Sequence, residues 1–542
     1  MDKNNRPFYE WVPRPVGILI LLMMFVPPTF SGGAYLCNIS EMSGGLGVWT
    51  EDIQLASFFT SIGMCLFPPF MVRFLQVRRI KQTYLWGFLL LIPLNYVCAV
   101  ATSVPLLLAA CLLTGFVCII VMLNCTFTIA PYLTGLDTLS MFTMTEEPSA
   151  EVQYVLERKR TFLMPVLYGF ILLISQTSNM LLAHFAYEYH WQDAYYVVIG
   201  MLMVAILLVV CTMPTEKKTQ QYQVEWDKMK SMLLMAVVLC CMAYILVYGK
   251  TLDWFSSNSI CLAMGVLLIA CGAFLFFSMR KQAEPYLPLE VFTYRNVWMS
   301  MLLFFLSMIF NSANIFVSMF AKLSTPINNQ QSASLSGWAI VGCLLGLLLS
   351  MLLVVKKVRF RMIFCLAFLM MAASNAYLYF QYQTIGLFGN MILPTVLNYT
   401  GLLMLYSIVA AFGMKKLPSH YLATFVFLMI WMRNAIAPVV GSSLYANWLN
   451  NRQQYYVSRI VQTVNNENPL AVTAFMQTKR MGEVGGKGTT EAEQLATTSL
   501  KGRIIVQSTI VAMKDITGQT VLSLLGTAVV TLLLPYHKGE TT

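Results

Sequence analysis

The chain has 542 residues, of which 58% are hydrophobic and 11% charged, with a mean hydropathy of +0.67. A soluble domain carries about 25% charged residues, so the composition excludes a water-soluble globular protein, and apolar runs of full spanning length speak against a β-barrel, which is built from short alternating strands. The net charge of +11 needs no nucleic-acid partner, because its placement along the chain accounts for it.

The amino terminus, MDKNNRPFYEWVPRP, is basic and leads into an apolar run without a small-residue cleavage site, which reads as an uncleaved first helix. Hydropathy then predicts fourteen membrane helices, at 15–37, 52–73, 83–101, 105–128, 161–185, 194–213, 232–249, 258–279, 298–320, 333–355, 362–380, 388–412, 420–447 and 518–536. An even number puts both termini on one side. With the termini in the cytoplasm, 24 of the 35 Lys and Arg fall on that side, against Lys250 and Lys322 in the short outer loops. This is the positive-inside bias; the long outer segment is translocated largely regardless of its charge.

The expected fold class is therefore an all-α polytopic membrane protein of two six-helix halves plus two central helices. Residues 1–213 form the first half, 214–297 the linker with the extra helices, and 298–542 the second half with outer loop 449–517. Two short basic turns, RFLQVRRIK (Arg73–Lys81) and KKVRFR (Lys356–Arg361), occupy matching places in the halves, as a parallel repeat would place them. Arg73, Arg78 and Arg79 in the first are candidate gating residues. The 13 cysteines lie almost all in apolar runs. Cys111, Cys118 and Cys125 recur every seven residues and read as a small-residue packing seam.

Segment 131–160 is long for a cytoplasmic turn and mixes acids with a basic end, as in a surface helix. Outer segment 449–517 has helical stretches on either side of GEVGGKGTTEAEQ and reads as an amphipathic connector on the membrane surface. Gly485–Thr489 is not a phosphate loop, since Met481 stands where the first Gly belongs and Gly488 follows the Lys. In the thirteenth span, Arg433 is the one Lys, Arg, Asp or Glu deep inside any predicted helix. A cation at mid-bilayer costs about 2.5–3.5 kcal/mol on the insertion scale, so it needs water, carbonyls, amides or an anionic ligand. Asn434 and Pro438 follow it, where a bend would free carbonyls.

Several passages carry a resemblance. HWQDAYYVVIGMLMVAILLVVCTMP (His190–Pro214), GKTLDWFSS with PYLPLEVFTYRNVW around the central helices, and RNAIAPVVGSSLYANWLNNRQQYYVSRI from Arg433 are similar to the fourteen-helix drug:proton antiporters of the major facilitator superfamily (EmrB/QacA type). The resemblance implies the major-facilitator fold, efflux of amphipathic or hydrophobic small molecules across a bacterial inner membrane, multidrug resistance, and a periplasmic adaptor touching 449–517. It also implies that helices 1, 4, 9 and 12 line a central cavity. The departures remove the family's proton relay. Residues 15–37 hold no acid, Val72 precedes Arg73, Cys111 and Thr114 precede Gly115, Ser178-Asn179 and Leu182-Ala183 stand where Gly-rich pairs belong, and Gln192 follows Trp191 in place of Arg. Every Asp and Glu falls in a loop or at a helix end, with Asp52 the nearest to a span.

In that cavity the candidate substrate-binding residues are Asn124, Gln176, Asn179, Asn311, Asn314, Asn398, Tyr399, Tyr406, Arg433 and Asn434. A mostly apolar cavity with few polar groups suits an amphipathic solute, although each amide serves equally as an interhelical hydrogen bond. No cofactor, metal or nucleic acid is implied; the partners are the lipid bilayer and a small molecule. The alternatives are a transporter-like sensor or structural subunit without proton coupling, and a membrane enzyme acting on a lipid-linked substrate. His184, His190, His420 and His537 form no catalytic motif, which disfavours the enzyme.

Overall fold

A computed structural model describes residues 7–134, 150–215, 225–279, 286–324, 329–383, 386–415, 417–465 and 468–534. With no water in a bilayer core to bond the backbone, each apolar run closes its own hydrogen bonds as a helix. The helices are α1 (Arg14–Phe30), α2 (Ile39–Leu46), α3 (Thr50–Leu66), α4 (Met71–Val77), α5 (Ile80–Val100), α6 (Val104–Thr134), α7 (Ala150–Glu188), α8 (Asp193–Thr212), α9 (Trp226–Tyr248), α10 (Asn258–Met279), α11 (Arg295–Ser312), α12 (Ile315–Ser324), α13 (Asn329–Val355), α14 (Phe360–Gln381), α15 (Ile392–Met414), α16 (Ser419–Trp431), α17 (Ala437–Thr463), α18 (Pro469–Val484) and α19 (Thr489–Leu533). Among the described residues 13 spans are long and apolar enough to cross a membrane, and α1 is a shorter apolar helix ahead of them.

The first helix stops earlier than the run 15–37 suggested. Pro27 and Pro28 lie in its last turn, and Gly33 takes a left-handed φ of 69°. A side chain at Gly33 would meet Cys111 Sγ and Thr60 Oγ1 at 2.8 Å, so the chain turns here against α6 and α3. The cysteine seam packs at this turn: Cys118 Sγ lies 3.4 Å from the Ser31 carbonyl, and Cys111, Cys118 and Cys125 are all fully buried.

Helix pairings repeat between the two parts of the chain. α3 packs on α6, α5 on α6 and α8, and α1 on α6; correspondingly α13 packs on α15, α14 on α15 and α19, and α11 on α15. Glycines let the closest pairs approach. A Cβ at Gly63 would sit 2.1 Å from the Leu112 carbonyl, and one at Gly115 would sit 1.9 Å from that of Thr60. In the α13–α15 pair a Cβ at Gly342 or at Gly346, four residues on, would meet the carbonyls of Val396 and Thr400 at 2.6 and 2.8 Å. Without a hydrophobic drive between helices in lipid, such small-residue contacts are a main source of association. The two parts meet where α7 lies on α13 and where α3 lies against the segment between α16 and α17.

α9 and α10 pack together, and α9 touches both α3 and α17. At the face carrying the basic turns, Arg73 pairs with Glu225, which Lys228 also reaches at 2.7 Å. This ties the start of α9 to α4.

Segment 449–517 differs from the expected surface connector. α17 runs on to Thr463, and α19 is a single helix of 45 residues, roughly 68 Å at 1.5 Å per residue, against about 30 Å of hydrocarbon. The last helices therefore continue past the apolar layer, with α18 packed back on α19 and Lys479 paired to Glu493 at 2.6 Å. Of segment 131–160, residues 135–149 lie outside the described residues, and from Ala150 the chain is already helix α7.

Candidate functional site

Arg433 sits in a five-residue π-helical segment, Met432–Ile436, joining α16 to α17. The cause is local. Pro438 has no N–H and cannot close the α-helical bond to the Asn434 carbonyl, so the turn ahead of it widens. The widened turn presents Arg433 in the lining of a cavity of about 150 Å³, walled by Phe25, Met122, Phe127, Leu167, Tyr168 and Ile430. Leu163, Met414 and Leu422 continue the wall toward the face of the basic turns. Among the described residues no Asp or Glu is in the lining.

The Arg433 Nε donates to Asn434 Oδ1 at 2.9 Å, and its guanidinium carbon lies 6.0 Å from the Tyr168 ring centre. Among the described residues no carboxylate pairs with it and neither terminal nitrogen donates to a protein acceptor. Tyr168 packs edge-on to Tyr406 at 6.1 Å, and Tyr406 lies on Phe304 at 4.9 Å with its hydroxyl against Met308 Sδ. Asn434 Nδ2 faces Met64 Sδ at 4.0 Å.

A second polar layer lies farther from the basic turns. Gln176 is eight residues beyond Tyr168 on α7, roughly 12 Å along the axis, and Tyr399 is seven residues from Tyr406 on α15, roughly 10 Å. Here Gln176 and Asn314 lie near the Tyr399 hydroxyl, and Asn398 Nδ2 donates to Asn311 Oδ1 at 3.1 Å. The Asn398–Asn311 bond joins α11 and α15, and Gln176 brings α7 to the same level.

Of the residues anticipated from sequence, Arg433, Asn434 and Tyr406 gather at the first layer, and Gln176, Asn311, Asn314, Asn398 and Tyr399 at the second. The other two amides go elsewhere. Asn179 is exposed. Asn124 accepts from Arg78 Nη1 at 3.0 Å and donates to the Ile80 carbonyl at 3.3 Å, so it ties the lower end of α6 to the turn before α5. Arg73 is held by Glu225, and Arg79 donates to Gln82 at 3.3 Å. Sequence reasoning passed over Tyr168, Phe304 and Met308. An aromatic ring inside a span is most often packing, and nothing in the linear order brings Tyr168 to Arg433.

Comparison with known proteins gives the fold. No protein-family model and no curated protein matches the chain. Solved structures do: a peptide transporter POT in complex with sulfate (TM-score 0.54, 13% identity, 98% of each chain covered), a tetrameric PepTSo2 (0.52, 11%, 96% of this chain and 98% of that one), and an auto-inhibited POT-family peptide transporter (0.50, 12%, 98% and 99%). These neighbours are transporters, not enzymes.

They correct the expected kinship with EmrB/QacA-type drug:proton antiporters, and with it the grounds for efflux and multidrug resistance. The passages that suggested it sit at places any such bundle must fill. Trp191 is buried against Tyr195 at the turn before α8, Gly249 ends α9, and Arg295 starts α11. The chain is a multi-pass, all-helical membrane protein with the fold these POT-family transporters share.

Proposed function

We propose that the chain is a secondary transporter for a small amphipathic molecule with a carboxylate or another strongly accepting group. One observation carries this reading: the Arg433 guanidinium lines an apolar cavity, and among the described residues no protein acceptor takes its terminal nitrogens. A fixed cation in such a place is satisfied most cheaply by an acceptor on a ligand, since hydrogen bonds to a charged group contribute about 1.5–3 kcal/mol. Arginine stays protonated, so Arg433 selects and does not carry protons. Asn434 orients the guanidinium, Tyr168 and Phe127 form part of the wall against which the apolar part lies, and Tyr406 packs behind Tyr168. Gln176, Asn311, Asn314, Asn398 and Tyr399 form the barrier on the far side.

At 150 Å³ the cavity is about the size of an engineered one that takes up benzene, and below the roughly 300 Å³ of a typical ligand site. It admits a ring or short chain, and a larger solute requires the two halves to part. Rocking of one half against the other around a midplane site is the mechanism this architecture supports. The charge bias of the turns supports a cytoplasmic location for the termini, as in a bacterial inner membrane.

A second reading, peptide transport, is favoured by the names of the structural neighbours. A peptide also brings an ammonium group, and among the described residues no acid lines the cavity to receive it. Uptake into proteoliposomes, with and without a pH gradient, separates the two. An arylcarboxylate should be carried and its neutral amide should not. Equal uptake of acid and amide would overturn the reading, and preferential uptake of a dipeptide would establish the second.

A further inference from the structure

Away from the central cavity, α14 and α19 part at the end of the bundle that bears the α18 hairpin. A crevice of about 600 Å³ opens there, with Tyr379 and Phe380 on one wall and Lys514, Gly518 and Leu522 on the other. It shares no residue with the cavity at Arg433. Its depth depends on Gly518, where a Cβ would come within 3.1 Å of the Tyr379 ring. Phe380 and Leu522 are 69% and 71% exposed on spans that face the bilayer.

The crevice is ordered from polar to apolar along the membrane normal. At its outer end Lys514 Nζ rests over the Tyr379 ring, 5.1 Å from the centre, which holds the ammonium in place. The neighbouring carboxylate is already claimed. Asp515 is met by Arg452 at 3.3 Å, by the Tyr456 hydroxyl at 3.3 Å and by Gln519 at 3.1 Å. The cluster of Arg452, Lys514 and Asp515 therefore presents one excess positive charge, and no carboxylate is left for a choline or ethanolamine head. One to two turns deeper on α19, Gly518, Val521 and Leu522 face the space, with the Gln519 amide turned back to Asp515.

We propose that this crevice binds an acidic phospholipid, with its phosphate on Lys514 and an acyl chain lying along Phe380 and Leu522. The charge selects the headgroup, and the concavity left by Gly518 takes the chain. A lysine near an anionic membrane surface contributes on the order of fivefold in binding.

Native mass spectrometry of the full chain, released from detergent with equal phosphatidylglycerol and phosphatidylcholine, tests this. The wild type should retain phosphatidylglycerol about fivefold over phosphatidylcholine. Lys514→Gln should abolish that preference at an unchanged melting temperature, while Lys322→Gln, which removes another lysine far from the crevice in sequence, should preserve it. Gly518→Leu should lower retention of both lipids. Equal retention of the two lipids by the wild type, or an undiminished preference in Lys514→Gln, overturns the proposal, and neither result depends on the folding of Gly518→Leu.

Discussion

Replacing Arg433 by Met separates a ligand-facing charge from a scaffold tie. Holding the guanidinium at this depth costs about 2.5–3.5 kcal/mol. The protein offsets this with the Nε bond to Asn434 at 2.9 Å, about 1.5–3 kcal/mol for a charged donor. The Tyr168 ring at 6.0 Å, the outer limit of a cation–π contact, adds about 0.5 kcal/mol. The two sides cancel to within about 1 kcal/mol, and a flexible Met fills most of the vacated space. Arg433→Met should therefore express at wild-type levels and melt within a few degrees of wild type. Substrate affinity should fall roughly ten- to hundredfold, the equivalent of one charged hydrogen bond. Arg433→Lys, which keeps the charge without the planar fork, should fall between the two. Thermal unfolding in detergent and binding of an arylcarboxylate by calorimetry measure both quantities. Collapse of folded protein in Arg433→Met with Arg433→Lys intact would refute the reasoning, because the charge would then be holding the fold.

The α3–α6 crossing should not tolerate a side chain at Gly115. Gly115→Leu places atoms within 1.9 Å of the Thr60 carbonyl and should cost more than the roughly 1–3 kcal/mol of ordinary overpacking. Gly200→Leu, with open space around its Cβ, should be accepted, and size-exclusion yield compares the two. Asp52 caps α3 by accepting from the Trp49 N–H at 2.9 Å and receives the Tyr248 hydroxyl, so its carboxylate is engaged in structure at the end of a span. Asp52→Asn retains an acceptor and should leave uptake with and without a pH gradient unchanged; loss of gradient-driven uptake at a normal melting temperature would make Asp52 a proton carrier.

The sequence alone determined the class of this protein and the order of its apolar helices. Each follows from composition and periodicity over a single stretch of chain, because a bilayer imposes one length and one solution, the helix, on every apolar run. Pro438 also marked the disturbed turn beside Arg433, since the missing N–H is a property of that residue alone. Kinship was misread for the same reason. Gly and Trp at turns and crossings satisfy requirements common to every bundle of this layout, so they identify the fold and not the family. What only tertiary structure decided is which polar residues face each other. Asn124 and Gln176 are equivalent in a hydropathy profile, yet one fastens Arg78 at a helix end and the other lies buried near Tyr399. Tyr168 and Arg433 are separated by most of the chain and meet because α7 and the π-helical turn line one cavity. Partners of that kind are chosen by how helices cross, and the crossing is set by close contacts such as Gly63 on Leu112 and Gly342 on Val396, which no single stretch of sequence contains.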